Sequence, residues 1–243
     1  MRLSLVVPAH NEEERLEPML RAYASALGSD AEVIVVVNGS TDDTVGVARR
    51  VAADHSTVQV IDVAERIGKG GAVRTGFARA GGDWIGFADA DMATPPAEFL
   101  RLVEAAESSD GAIASRWAPG ARIYGRTWLR TAASRVFALL VRMLFGLPFA
   151  DTQCGAKVFH RRFLPVYLAN STVNDLAFDV ELLLLLTRAG ARLTEVPTAW
   201  TAVPGSSSLA SPAGLARHGW RMVRTLLRLR AESRRPLPAP LTR

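Results

Sequence analysis

The stretch EVIVVVNGSTDDT, residues 32–44, places a run of mostly β-branched apolar residues directly before a polar turn. A short apolar run that ends in turn residues is typical of a buried strand, here residues 32–37. Residues 2–7, 58–63 and 84–88 repeat the arrangement, and each is also followed by a polar turn. We therefore expect these four segments to form buried strands.

Helical patterns separate and follow these strands. They cover residues 12–27, 42–53, 70–80 and 96–106. Alternation of strand and helix predicts an α/β fold, in which a mostly parallel sheet is flanked by crossover helices. Such sheets bind ligands beyond the carboxyl ends of their strands, so the polar turns after the strands are the first candidates for a site.

The composition narrows the class of protein and of partner. With 243 residues, 49% of them hydrophobic, the chain is long enough for one sizeable core and suits a single domain. Lys and Arg number 29 against 24 Asp and Glu, and the formal charge of +5 favours an anionic partner. Basic charge without an aromatic platform or a recognition motif does not indicate nucleic-acid binding.

The single cysteine and the apolar segments bear on location. Cys154 alone allows no internal disulfide and is too little for a structural zinc site, so we expect a reducing, cytoplasmic location. The longest apolar stretch, residues 136–149, is interrupted by Arg142, Gly146 and Pro148 and falls short of the roughly 20 residues that span a bilayer. We expect membrane contact to be peripheral, on the inner face.

The C-terminal part of the chain is rich in arginine and leucine. In the predicted amphipathic helix at residues 216–230, Arg217, Arg221, Arg224 and Arg228 share one face. Such a helix suits an anionic membrane surface, or it packs on its own domain with a solvated arginine face. Residues 231–243 contain three prolines and three arginines, and we expect them to be a disordered tail.

Two carboxylates follow the strand at residues 84–88. Asp89 and Asp91 flank Ala90 in a turn that can bring both side chains to one hard cation. Mg²⁺ or Mn²⁺ accepts such oxygen ligands together with a diphosphate, and stabilises the charge of a departing nucleotide. A turn that caps the following helix would explain Asp91 equally.

Four polar segments follow one another along the chain: VPAHNEE at 7–13, NGSTD at 38–42, GKGGA at 68–72 and DAD at 89–91. Taken together in this order, they resemble the turns of family 2 glycosyltransferases. The segments DTQCGAKVF at 151–159 and FDVELL at 178–183 resemble the dolichyl-phosphate glucosyltransferase and mannosyltransferase branch.

The resemblance implies a GT-A fold with a Rossmann-like nucleotide-binding half. It implies one domain at 1–230, with a nucleotide-sugar half at 1–115 and an acceptor half at 116–230. The implied reaction is inverting transfer of a hexose from a UDP-glucose or GDP-mannose type donor to a polyprenyl or dolichyl phosphate.

The resemblance also implies roles for residues on the donor side. Asp89 and Asp91 would hold the metal ion, with Asp91 taking part in catalysis, and Lys69 would approach the base or the diphosphate. The remaining residues that would contact the nucleotide sugar are Pro8, Asn11, Glu12, Asn38, Ser40, Asp42 and Ala90. Asn38 and Arg66 depart from the family's usual residues, which leaves uracil and guanine both open as the base.

On the acceptor side the chemistry separates two kinds of substrate. A phosphate monoester has a second pKa of about 6 and is already largely anionic at neutral pH, whereas a sugar hydroxyl needs a general base. The chain has a basic run from Arg116 to Arg135, which is otherwise explained as a solvated face. The resemblance implies that Arg116, Arg130 and Ser134 contact the lipid phosphate.

Three further residues are expected near the reacting centre. The resemblance places Asp151 at the floor of the active site, as either a base or an orienting group. Lys157 and Asp179 would assist on the acceptor side, and Gly68, Gly70 and Gly71 suggest close approach of the backbone to an anion.

Two alternatives remain at this point. Transfer to a hydroxyl of a saccharide or metabolite would require Asp151 or Asp179 as the base. A non-catalytic nucleotide-binding scaffold at the membrane is the other. A separate membrane protein as partner is also open.

Overall fold

The computed structural model of the chain describes residues 2–203 and 212–233, and in the second range it describes side chains from Gly219 onward. Seven strands form one sheet in the order β3-β2-β1-β4-β7-β5-β8. Their bounds are Leu3–Ala9 (β1), Ala31–Asn38 (β2), Val58–Val63 (β3), Trp84–Ala88 (β4), Gly111–Ser115 (β5), Ala156–His160 (β7) and Leu193–Pro197 (β8). A separate pair joins Arg122–Tyr124 (β6) to Ala199–Thr201 (β9) in parallel.

The sheet is mostly parallel, as expected. The neighbours β1 and β2, β2 and β3, β1 and β4, and β5 and β8 all run in parallel. Only β7 among the seven strands runs against its neighbours, and it lies between β4 and β5. The strand after the 151–155 loop is therefore inserted beside the strand that ends at the two carboxylates.

Eight helices accompany the sheet in the described residues. They are Leu16–Leu27 (α1), Thr44–Asp54 (α2), Gly68–Phe77 (α3), Pro96–Glu107 (α4), Trp128–Phe145 (α5), Leu164–Asn170 (α6), Phe178–Arg188 (α7) and Pro212–Glu232 (α8). The four strands and four helices predicted for the first half are confirmed, with shifted ends.

Two helix boundaries differ from the sequence prediction for a physical reason. The first helix begins at Leu16 rather than residue 12, because Asn11 is in a left-handed conformation (φ 55°) and the amide of Glu12 donates to Thr44 Oγ1 at 2.8 Å. The third helix ends at Phe77 rather than Ala80. The amides of residues 79 and 80 donate to carbonyls three residues earlier, instead of the four that an α-helix requires.

Helices cover both faces of the sheet, as a parallel sheet with buried strands requires. Alternate residues of β1 face opposite sides: Leu5 and Val7 join the core beneath α1, α2 and α4, whereas Val6 joins the core beneath α3, α5, α6, α7 and α8. Both faces of the sheet are therefore covered by apolar side chains. The polar loops lie at the carboxyl ends of the strands.

The last helix packs on the domain. Leu226 and Leu229 of α8 are buried, whereas Arg221, Arg224 and Arg228 are exposed. The side chain of Arg217 lies outside the described residues. Residues 231 and 232 belong to α8 rather than to the expected tail, of which residues 234–243 lie outside the described residues.

In residues 2–203 and 212–233, no helix is both long and apolar enough to cross a membrane.

Glycine at position 70 is required by packing and supplies a test. A Cβ at Gly70 would lie 2.3 Å from the carbonyl oxygen of Val173 and 2.6 Å from Cβ of Phe178, whereas a Cβ at Gly219 meets nothing within 4 Å. We expect Gly70→Ala to lower the free energy of unfolding by about 1–3 kcal/mol because backbone must move. The matched Gly219→Ala in α8 should raise it by about 0.5–1 kcal/mol. Chemical denaturation measures both, and equal effects would contradict the close packing at Gly70.

Candidate active site

The loops after β1 and β2 meet at the carboxyl edge of the sheet and bind each other. Asn38 donates from Nδ2 to the carbonyl of Ala9 at 3.0 Å, and the amide of Asn11 donates to Ser40 Oγ at 3.1 Å. The amide of Thr41 donates to Asn11 Oδ1 at 2.8 Å. The structure thus brings together three predicted nucleotide-sugar residues, while Pro8 is buried within β1 beneath these loops.

Asp42 organises the start of α2. Its carboxylate accepts from the hydroxyl and amide of Thr44 and from the amide of Glu13. Burial opposes ionisation of Asp42, but these hydrogen bonds outweigh it and lower its pKa. Asp42 therefore stays charged and holds the loop that would lie beside the nucleotide.

Asp89 and Asp91 lie at the end of β4, where the sequence predicts a metal site. The amide of Asp89 donates to the carbonyl of Gly155 at 3.1 Å, and Asp91 Oδ1 accepts from the amide of Ala93 at 3.0 Å. A Cβ at Gly155 would lie 2.0 Å from Asp89 Oδ2, so any larger residue there would displace this carboxylate. Ala90 between them is buried.

Negative charge accumulates around this turn. Burial and the charges of Asp91 and Asp89 raise the pKa of Glu12, against the opposing effect of its ion pair with Arg15. Within the described residues no three His, Cys, Asp or Glu side chains form a ready metal site. Mg²⁺ is usually bound by one or two carboxylates, and the phosphates of the substrate complete its coordination. The oxygens of Asp89 and Asp91 therefore fit such an ion.

Lys69, at the start of α3, supplies positive charge beside this turn. Its Nζ lies 2.6 Å from Asp89 Oδ1, between the rings of Phe87 and Phe178 at 5.6 and 5.5 Å. Burial opposes the charge on Lys69, but Asp89 and then Asp179 raise its pKa above the ordinary value. Lys69 is therefore a fixed cation in contact with the candidate metal ligand.

The glycines around Lys69 pack closely against other parts of the chain. The amide of Gly70 donates to the carbonyl of Asn174 at 3.0 Å. A Cβ at Gly68 would lie 2.3 Å from the same carbonyl, and one at Gly71 would lie 3.1 Å from Ile67 Cβ. Close packing against protein therefore accounts for these glycines, and the approach of an anion to their backbone stays a prediction.

Lys157 and Asp179 form a buried ion pair behind Lys69. Lys157 Nζ donates to Asp179 Oδ1 and to the carbonyl of Cys154, the latter at 2.8 Å. Burial raises the pKa of Asp179, against the opposing effect of Lys157 and then Lys69. Both side chains are buried and bound to each other, and their contact with the acceptor stays a prediction.

Cys154 lies in the same loop and is fully buried. Burial, followed by the charge of Asp151, raises the pKa of its thiol to about 12. The thiol is therefore protonated at neutral pH, which agrees with its interpretation as a small buried side chain.

Arg116 and Asp151 form a bidentate ion pair. Arg116 directly follows β5, and Asp151 begins the loop that leads to β7. Arg116 Nε and Nη2 donate to Asp151 Oδ2 and Oδ1 at 2.7 and 2.9 Å, and the Arg116 amide adds a third bond at 3.0 Å. The amide of Gln153 also donates to Asp151, at 3.1 Å. Both side chains are buried.

This pairing bears on the two roles left open for Asp151, those of a base and of an orienting group. Burial opposes its ionisation, but Arg116 outweighs burial and lowers the pKa of Asp151. A carboxylate with a lowered pKa and filled hydrogen-bonding positions is a poor base and a good orienting group. The pair contributes stability at neutral pH and loses it only as the pH falls through that lowered value.

Arginine and tryptophan side chains stack above this pair. The guanidinium carbons of Arg116 and Arg126 lie 5.5 and 5.6 Å from the ring centre of Trp200. Those of Arg116, Arg126 and Arg135 lie 5.9, 5.4 and 5.1 Å from that of Trp117. We call these five residues the arginine–tryptophan cluster.

Arg126 has no carboxylate of its own in this cluster. Its Nη2 donates to the carbonyl of Arg130 at 2.9 Å, whereas its Nε is buried and has no hydrogen-bond partner among the described residues. Burial and the charge of Arg116 lower the pKa of Arg126 to about 10, with Asp151 opposing and Arg130 adding to the effect. The cluster therefore has an excess of positive charge.

The two other predicted phosphate contacts lie on α5. The amide of Arg130 donates to the helix cap Thr127, and Ser134 lies half-buried one turn further along. Arg126, Trp117 and Trp200 were not among the predicted site residues. Arg126 was visible in the basic run, but nothing in the sequence connects Trp200 with Trp117.

Comparison with known families and proteins agrees with this geometry. The profile of Glycosyl transferase family 2 matches residues 4–167. Dolichyl-phosphate beta-glucosyltransferase of Drosophila melanogaster is 38% identical over 228 residues, which cover 85% of this chain and 69% of that protein. Glycosyltransferase AglD of Haloferax volcanii is 35% identical over 207 residues, 82% of this chain but 33% of that protein. The chain thus spans about two thirds of the first relative and a third of the second.

Solved structures share the fold. Glucosyl-3-phosphoglycerate synthase from Mycobacterium tuberculosis, in complex with Mn²⁺, uridine diphosphate and glucosyl-3-phosphoglycerate, superposes with a TM-score of 0.70 at 21% identity. The match covers 93% of this chain and 79% of that one. With the expected α/β, GT-A type sheet in place and the profile matching most of its length, this chain belongs to glycosyl transferase family 2.

Proposed function

We propose that the chain transfers glucose from a UDP-glucose type donor to a polyprenyl phosphate of the dolichyl type, with inversion at the anomeric carbon. Several relatives carry the name dolichyl-phosphate beta-glucosyltransferase, among them the proteins of Drosophila melanogaster and Homo sapiens, at 38% and 34% identity. The observation in this chain that carries the proposal is the uncompensated cation in the arginine–tryptophan cluster.

A phosphate is the ligand that this cluster suits. Planar guanidinium groups bind phosphate oxygens in pairs, and the excess charge at Arg126 is relieved when an anion arrives. Arg116 is already bound to Asp151, so we assign the direct phosphate contacts to Arg126, Arg130 and Ser134, with Arg116 adding its field. The expectation that Arg116 itself binds the phosphate is thereby revised.

The carboxylates also favour a phosphate acceptor over a hydroxyl. Asp151 is bound by Arg116, and Asp179 by Lys157. A hydroxyl acceptor would need one of them as a base, whereas a phosphate oxygen is already a nucleophile at neutral pH. Both carboxylates then act as positioning residues.

On the donor side we propose that Asn11, Asn38 and Ser40 border the nucleotide, with Glu12 and Asp42 supporting their loops. Asp89 and Asp91 would hold Mg²⁺ or Mn²⁺, flanking Ala90. A bound ion supplies stabilisation of the negative charge that develops on the departing diphosphate.

The reaction is a single displacement. An oxygen of the lipid phosphate forms a bond to the anomeric carbon while the bond from that carbon to the diphosphate breaks. The nucleoside diphosphate leaves with the electron pair, and the configuration inverts. Lys69, a fixed cation beside Asp89, is placed to attract the departing diphosphate.

This proposal divides the domain into a donor half at 1–115 and an acceptor half at 116–230. It places the reaction at the cytoplasmic face of a membrane, since the acceptor is a lipid and the lone thiol needs no oxidising compartment. An anionic membrane surface and a separate membrane protein are the partners that this location allows.

Turnover with purified chain tests the function directly. With Mg²⁺ or Mn²⁺, UDP- and GDP-sugars and a short polyprenyl phosphate, we expect a lipid-linked glucose from UDP-glucose. Asp91→Ala should reduce its formation by at least about a hundredfold, because the metal ion that would stabilise the charge on the leaving diphosphate loses a ligand. Product on a saccharide hydroxyl instead would overturn the acceptor, and nucleotide binding without any product would favour a scaffold.

Arg126 is the specific test of the acceptor site. Arg126→Gln should raise KM for polyprenyl phosphate by roughly tenfold to a hundredfold, since charge-assisted hydrogen bonds contribute about 1.5–3 kcal/mol. KM for the nucleotide sugar should stay unchanged. The matched Arg50→Gln removes an exposed arginine of α2 and should alter neither constant. An unchanged KM for the lipid in Arg126→Gln would contradict the assignment.

Asp151→Asn distinguishes a positioning role from that of a base. Breaking the buried pair leaves Arg116 uncompensated, so we expect the free energy of unfolding to fall by about 3–5 kcal/mol. Asp62→Asn, at an exposed pair with Arg49, should change it by less than about 1 kcal/mol. The folded fraction of Asp151→Asn should keep the wild-type shape of its pH–rate profile. A stable variant that loses the acidic limb of that profile would identify Asp151 as the base.

A further inference from the structure

The outward face of α5 is apolar. Trp128, Val136, Leu139 and Met143 recur at a spacing of three or four residues, or twice that, and form one stripe along the helix. Their side chains are 80%, 67%, 56% and 68% exposed. A stripe of this size on the surface of a globular domain marks a contact with something else.

The stripe does not belong to the core of this chain. On the other side of α5, Val141 is buried and Phe137, Leu140 and Leu144 pack against the core beneath α3, α6, α7 and α8. The helix is thus anchored by one face, and in the described parts of the chain nothing covers the other.

The neighbouring helix extends the same surface. α8 packs beside α5, with Leu226 and Leu229 buried, and presents Trp220 and Leu227, 70% and 55% exposed. Two helices therefore contribute exposed tryptophan and aliphatic side chains. We call this the α5–α8 face.

The charges on this face are predominantly positive. α5 contains Arg130, Arg135 and Arg142 and no Asp or Glu. α8 adds the exposed Arg221, Arg224 and Arg228, with Glu232 as its acidic residue. Apolar side chains bordered by arginines match the boundary between the acyl chains and the headgroups of an anionic bilayer.

We propose that the α5–α8 face docks on a membrane of anionic phospholipid and lies in the plane of its surface. Tryptophan is suited to this boundary, and the arginine stems reach from the apolar zone to the phosphates. A second copy of the chain fits less well, because a symmetric contact would bring the same cations together. This inference does not rest on the proposed reaction, since it concerns binding to lipid in the absence of donor and acceptor.

Docking in this way would set the position of the arginine–tryptophan cluster. Arg126 immediately precedes Thr127, the cap of α5, and Arg135 lies on the helix itself. With α5 on the membrane, the cluster is held at headgroup height, where the phosphate of a lipid lies.

Vesicle binding of the full chain tests the proposal. We expect flotation with vesicles of phosphatidylcholine and phosphatidylglycerol, and much weaker binding to phosphatidylcholine alone. Val136→Gln, Leu139→Gln and Met143→Gln, singly, should each weaken binding roughly tenfold, because each removes burial of an apolar side chain. The control Leu100→Gln changes a 39% exposed leucine of α4, on the opposite side of the sheet, and should bind like the wild type.

The charge requirement is tested by Arg142→Gln and Arg221→Gln, which should weaken binding to the anionic vesicles and leave binding to phosphatidylcholine unchanged. Circular dichroism and thermal unfolding confirm that the exposed substitutions leave the fold intact. Wild-type binding by the α5 variants would overturn the proposal. So would a dimer of the free chain that Leu139→Gln dissociates, or binding to native membranes but not to protein-free vesicles.

Discussion

The buried ion pair of Arg116 and Asp151 joins the end of β5 to the loop before β7, and both border the candidate active site. Arg116 follows β5, and Asp151 opens the loop that leads to β7. The same loop carries Gly155, whose carbonyl accepts the amide of Asp89. Through this loop the arginines of the proposed acceptor side are held at a set position relative to the carboxylates of the proposed donor side. A buried pair of this kind persists because its hydrogen bonds are nearly all satisfied.

The insertion of β7 is what makes that connection possible. Because β7 runs antiparallel between β4 and β5, the loop before it emerges at the edge where β4 and β5 end. Glu195 of β8 accepts the amides of Ala150 and Asp151 at 2.9 and 2.8 Å and secures the same loop from the far strand. Four strands therefore contribute to one site, although they are distant in the chain.

Charge is distributed unevenly between the two sides of the site. Asp89, Asp91 and Glu12 concentrate negative charge where a cation and a diphosphate would lie, with Lys69 as their internal counter-charge. The arginine–tryptophan cluster concentrates positive charge on the other side. Indole rings allow this, because guanidinium groups stack on them without needing a carboxylate each. The arrangement suits two anionic substrates that must approach each other.

The sequence by itself determined the α/β class, the strands and helices of the first half and the turns that carry the donor-side residues. These depend on local patterns, since an apolar run and its polar turn are neighbours in the chain. It also singled out Asp89, Asp91 and Asp151, and the structure brings the segments that carry them together at one edge of the sheet. The start of α1 was misplaced because the Asn11 turn is held by Ser40 and Thr41, nearly thirty residues away.

Only the tertiary structure decided which charged side chains are paired with each other and which are left to bind a ligand. Arg116 and Lys157 were expected to face the acceptor, yet each is bound to a buried carboxylate that lies 35 and 22 residues further along the chain. Arg126 stands out only because its neighbours are cations and the rings of Trp117 and Trp200, which lie 83 residues apart in the chain. Burial and the pairing of charges depend on contacts between distant segments, and a local pattern of residues carries no record of them.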